Sequence, residues 1–74
     1  MKGFQPGDLV TVSERVSSVT VWTNVLGDDV EGYIFPGEIY LVSEVNELCE
    51  SLRFVDTKNG LGGWISQNGV DKVK

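Results

Sequence analysis

Carboxylates are the chemistry-bearing groups this chain has in quantity. Asp28, Asp29, Glu31 and Glu38 fall close together, and Glu44, Glu47 and Glu50 form a second group. Oxygen-rich loops hold calcium when their ligands recur in a fixed order around a sharp turn. Neither group has that order, so a solvated acidic surface is expected and a metal site is not. The chain has no histidine, and so lacks the usual proton carrier near neutral pH. Its one cysteine, Cys49, stands among Glu47, Leu48 and Glu50. A nucleophilic thiolate needs a base and a positive surrounding, and these neighbours offer no positive charge. One cysteine and no histidine also exclude an internal disulfide and a zinc site built from those ligands. The expectation is a protein that is not an enzyme and carries no cofactor.

What remains is recognition. Asp28, Asp29 and Glu31 would favour lysine or arginine in a partner. The aromatic residues are Phe4, Trp22, Tyr33, Phe35, Tyr40, Phe54 and Trp64. Strand alternation expects Tyr40 and Phe54 inside. Trp22, Tyr33 and Phe35 lie in or beside a long loop, which leaves two readings open. They pack inward, because a small domain draws core from wherever it can, or they form an exposed patch of the kind that marks a partner surface. Trp64 follows Gly62 and Gly63, which places its ring against the wall of the fold more readily than at its centre. Tryptophan and tyrosine dominate binding hot spots as a class. The candidate ligand-binding residues are therefore Trp22, Tyr33, Phe35 and Trp64 for apolar contact, with Asp28, Asp29 and Glu31 for charge selection.

Charge narrows the partner. Six lysines and arginines stand against eleven acidic residues, a net charge of −5. Binding to nucleic acid draws most of its affinity from phosphate neutralisation by a basic face. Here Lys2, Arg15, Arg53, Lys58, Lys72 and Lys74 are scattered along the chain, so nucleic acid is not the expected partner. No run approaches the length of a membrane span, and Lys2 is followed by Gly-Phe-Gln-Pro, not by the apolar core of a signal peptide. The expected location is the cytoplasm, with no membrane partner. Seventy-four residues, 41% of them apolar, suit one folded domain over 1–74 with a small core. No covalent or metal staple is available, so packing must hold it, with help from a partner chain in a homo-oligomer or a larger complex.

The elements that must position these groups are strands. Pro6-Gly7 and Pro36-Gly37 each suit a type II turn, proline fixing the first φ and glycine accepting the positive second one. Leu9–Val12 reads as a first strand. Ser13 to Glu31 is rich in β-branched residues, which disfavour helix, and reads as a long irregular hairpin with limbs near Val16–Thr23 and Val30–Phe35. Ile39–Val45 is the central strand, with Tyr40 and Val42 on one face and Ile39 and Leu41 on the other. Val45 falls out of phase, which implies a bulge near Ser43-Glu44. Leu52–Asp56 follows, then an Asn59-Gly60 hairpin signal, then Gly62-Gly63-Trp64-Ile65. One turn of 3₁₀ helix or a tight loop over Ser66–Gly69 and a last strand over Val70–Val73 complete the chain. The expected count is five or six short antiparallel strands with a long first loop and no helix of length. A small barrel in which the last strand pairs with the first leaves few exposed edges.

The order of these signals resembles SH3-like barrels, bacterial SH3-type domains above all. The resemblance rests on Pro36-Gly37-Glu38-Ile39-Tyr40-Leu41-Val42, on Leu52-Arg53-Phe54-Val55, on Gly63-Trp64-Ile65 and on Val70, and covers roughly Val19 to Val73. Only Asn24-Val25 remains of the first-loop segment common in the bacterial domains, and the tyrosine-rich element of eukaryotic SH3 domains is missing. The resemblance implies a fold more than a function, with the long first loop flanking a ligand groove. The sequence thus points to a non-catalytic module that binds a protein or peptide, basic if charge decides. The alternative is an accessory subunit or a phage-type structural or inhibitory protein within a larger complex.

Overall fold

A computed structural model describes residues 3–56 and 62–73. The chain is all-β, a small barrel of the class expected from the sequence. Among the described residues seven strands form one antiparallel sheet: β1 (Leu9–Val12), β2 (Val19–Trp22), β3 (Val30–Ile34), β4 (Ile39–Asn46), β5 (Ser51–Asp56), β6 (Gly62–Ser66) and β7 (Val70–Lys72). Their order across the sheet is β3-β2-β6-β5-β4-β1-β7. There are seven strands, not five or six, because both limbs of the first-loop hairpin are regular enough to pair. The limbs are shorter than expected, since Val16 to Ser18 lie outside β2. The Asn59-Gly60 hairpin signal lies outside the described residues.

Both proline-glycine turns form as their chemistry demands. Gly7 has φ +96° and Gly37 +110°, and the Asp8 amide donates to the Gln5 carbonyl across the first turn at 3.1 Å. Alternation then sorts the side chains. Val10 and Val12 of β1, Val19 and Val21 of β2, Tyr40 and Val42 of β4, Leu52 and Phe54 of β5, and Ile65 of β6 point inward and are buried. Tyr40 meets Phe54 edge to face, with ring centroids 4.9 Å apart. Phe4 closes one end of the core from outside any strand. The Lys72 ammonium holds that segment down: it donates to the Gly3 carbonyl at 3.0 Å, pairs with Asp8 at 3.4 Å and lies over the Phe4 ring.

The central strand does two jobs. Its first half pairs with β1, and it pairs with β5 from Tyr40 to Asn46. A register shift between Val42 and Glu44 marks a bulge there, at the position the phase break implies. A bulge bends the strand and raises its twist, and here it lets one strand turn the corner of the barrel. Val45, past the bulge, packs back against the core. The chain ends meet as expected: β7 runs antiparallel to β1, with Val12 opposite Val70 and Val10 opposite Lys72. Between β6 and β7 the 3₁₀ turn Gln67–Gly69 is capped by the Ser66 side chain, which accepts from the Asn68 amide.

Three glycines set how tightly the barrel closes. A Cβ on Gly69 would lie 2.6 Å from the Val19 side chain, so the 3₁₀ turn rests directly on β2. A Cβ on Gly63 would come within 2.5 Å of Val21 and 3.0 Å of the Trp22 carbonyl oxygen, and one on Gly62 within 2.2 Å of the Phe54 oxygen. The Gly62-Gly63 pair ahead of Trp64 is there because two neighbouring strands come too close for a side chain.

Candidate functional site

The first-loop hairpin, β2 with β3, stands at one end of the strand order. Beside β3 runs an open groove of about 470 Å³. It is lined by the hairpin limb Glu31 to Pro36, by Asp56 and Gly62, and by Tyr40 and Phe54, the last two buried in the core. The groove therefore opens onto the edge of the core.

Tyr33 and Phe35 are both 59% exposed, so of the two readings open for these side chains the exposed one holds. They present apolar area along the groove wall, while Ile34 between them turns inward. Glu31, Glu38 and Asp56 supply three carboxylates around the same space. Among the described residues no three acidic, cysteine or histidine side chains gather closely enough to hold a metal ion. The three acidic residues are distributed along the groove lining. Their field is felt by Tyr40, whose hydroxyl is held above its usual pKa of 10.0, first by burial and then by Asp56 and Glu38.

Trp22 and Trp64 are placed elsewhere. They lie opposite each other on β2 and β6, half-buried, and are not part of the groove wall. The same row continues across the sheet, with Trp64 opposite Arg53 and Arg53 opposite Glu44. Arg53 and Glu44 pair at 3.1 Å on the solvent side, where such a pair contributes at most about 1 kcal/mol. Strand alternation explains the row: Gly63 and Ile65 face inward, so Trp64 faces out.

Asp28 and Asp29 belong to the turn between β2 and β3. Asn24 organises it: its side-chain oxygen accepts from the Gly27 and Asp28 amides at 2.9 and 3.1 Å. The Thr23 amide donates to the Asp29 carbonyl at 2.9 Å. Gly27, at φ +76°, lies flat against the Trp22 indole. Both aspartates are exposed at the hairpin tip and neither lines the groove. The seven sequence-derived residues thus fall into three places: Glu31, Tyr33 and Phe35 on the groove, Trp22 and Trp64 on the outer row, Asp28 and Asp29 on the tip.

Sequence reasoning missed two groove carboxylates as site residues. Glu38 directly follows the Pro36-Gly37 turn, and that position was the available signal. Asp56 arrives through sheet register, opposite Tyr40 on β4, which no local pattern announces. It also missed Asn24, although an asparagine three residues before glycine is an Asx-turn signature.

Two further concavities surround Phe4. One of about 730 Å³ is bounded by Phe4, Val45, Glu50 and Gln67. The other reaches Leu48 on the β4–β5 turn, which is 97% exposed. Their walls carry a single aromatic residue, against Tyr33, Phe35, Tyr40 and Phe54 on the groove. No helix among the described residues is long and apolar enough to cross a membrane. Compared with known proteins, the chain matches no family model, no curated protein and no solved structure.

Proposed function

We propose that this protein is a non-catalytic, cytoplasmic binding module of the bacterial SH3 type, and that the groove beside β3 takes a basic segment of a partner protein. One observation carries the reading: exposed Tyr33 and Phe35 share a groove with Glu31, Glu38 and Asp56. Exposed aromatic area supplies the contact energy, and three carboxylates select cationic side chains and speed their approach. The resemblance to bacterial SH3-type domains is supported by the Pro36-Gly37 turn leading into the central strand and by the pairing of first and last strands. Trp22 and Trp64 contribute by fixing the hairpin that bears the groove wall, and Asp28 and Asp29 by extending the negative field beyond the groove.

The test is a calorimetric titration with two decapeptides, one alternating arginine with valine and one alternating glutamate with valine. The arginine peptide binds, with an affinity that falls as salt rises, because its attraction is screened over about 10 Å at 0.1 M salt. Glu31→Gln weakens it. Absence of heat at millimolar peptide, or equal binding of the glutamate peptide, would contradict the proposal.

An accessory-subunit reading has an observation of its own. On the outer face Leu9 lies opposite Leu41, Leu41 opposite Val55, and Ile39 lies one step along β4. Leu9, Ile39 and Leu41 are all exposed, which is the kind of surface a larger assembly covers. Mass measurement of the native complex in cell extract tests it: a particle much heavier than the 74-residue chain supports it, and the free chain alone counts against it.

A further inference from the structure

Resting on the groove reading above, we infer how the partner segment is held: it adds as an extended strand to the open edge of β3. Successive side chains of a strand point to opposite faces. A surface in contact with one face touches every second residue. The groove touches Glu31, Gly32, Tyr33, Ile34 and Phe35 in unbroken succession. A surface running along the backbone edge makes contact of that kind. Among the described residues β3 pairs with β2 alone, so no described strand occupies its other edge.

The two ends of the sheet differ in the way edge protection predicts. Short strands and charged side chains are the usual means of blunting an edge. β7 is three residues long, with Asp71 and Lys72 both exposed. β3 is five residues long, and its exposed side chains include Val30 and Tyr33, with Glu31 as its one charge. Gly32 has open space where a Cβ would stand, so no side chain at that position obstructs an approaching backbone.

Charge selects the occupant. A second copy pairing through its own β3 would bring two sets of Glu31, Glu38 and Asp56 together, on chains that each carry −5. A segment alternating cationic and apolar residues instead places its charges among those carboxylates and its apolar side chains against Tyr33 and Phe35. Main-chain hydrogen bonds give such additions their affinity, and alternate side chains give them specificity.

Backbone methylation of the arginine–valine decapeptide tests this. An added strand at the end of a sheet turns alternate amides toward its neighbour and the others toward solvent. Methylating the amides of one parity is expected to weaken binding at least about tenfold, the other parity leaving it within about twofold, since each lost bond costs roughly 1 kcal/mol before any clash. The same peptide should slow exchange of alternate β3 amides. Equal effects of both parities would overturn strand addition and leave the groove reading standing. No binding by the unmethylated peptide at millimolar concentration would overturn both.

Discussion

Among the described residues Trp22 and Trp64 form the single ladder pair that joins the β2–β3 hairpin to the rest of the sheet. The other ladder pairs of β2 among the described residues are with β3. The wall of the candidate groove is therefore carried on a unit attached through one backbone pair, through the close approach of Gly63 to Val21, and through Gly69 resting on Val19. Few ladder pairs at this junction favour local opening of the hairpin, which the burial of Val19, Val21 and Ile34 opposes.

That attachment predicts the effect of Gly63→Ala. The new methyl would meet Val21 and the Trp22 carbonyl, and overpacking of this kind costs about 1–3 kcal/mol. Gly32→Ala is the control, because nothing lies within 4 Å of its Cβ position, and it should stay within about 1 kcal/mol of the parent. Urea denaturation measures both. Hydrogen exchange should show the Gly63→Ala loss concentrated in β2 and β3; a loss spread evenly over the sheet would count against the weak link.

The core makes a second prediction. Leu52 is fully buried, as are Ile65, Val10 and Val70. Leu52→Ala removes its apolar area and leaves a cavity, costing about 2–5 kcal/mol. In a domain this small each kcal/mol moves the melting midpoint by about 4–8 °C. Thermal denaturation followed by circular dichroism should show a fall of 10 °C or more (roughly, on that scaling), or no folded protein at all.

Tyr40 gives a pH dependence with a definite sign. Its hydroxyl is raised above the usual 10.0 in the folded chain by burial, then by Asp56 and Glu38. Above pH 10 the unfolded chain releases this proton while the folded chain still holds it, so stability falls as pH rises through that window. The contribution is intact below pH 10. Tyr40→Phe keeps the ring against Phe54 and removes the proton. Denaturation at about pH 9 and about pH 11 should show the variant gaining on the parent at the higher value; a constant difference would refute the linkage.

Much of this fold was legible because it rests on local chemistry. Pro6-Gly7 and Pro36-Gly37 carry their turn type in two residues, and Tyr40, Val42, Leu52 and Phe54 report their face by alternation. The bulge after Val42 shows as a phase break at Val45. The site was legible only in part. Glu31, Tyr33 and Phe35 share one hairpin limb, so their proximity follows from sequence. Asp56 reaches the groove through pairing with β4, and Trp22 leaves it because it stands opposite Trp64 of β6. Both depend on sheet order, a long-range property that periodicity does not encode. Asp28 and Asp29 were close in sequence to the groove but are carried to the hairpin tip by the Asn24 turn.

The most direct test of the account is to map where a basic peptide binds. Amide and methyl shifts of the ¹⁵N,¹³C-labelled protein, followed during titration with the arginine–valine decapeptide, should move at Glu31 to Phe35, Glu38 and Asp56 while those around Phe4 and Leu48 stay in place. Shifts confined to the Phe4 end, to the outer Trp22–Trp64 row or to the Leu9–Leu41 face would contradict the assignment of the β3 groove.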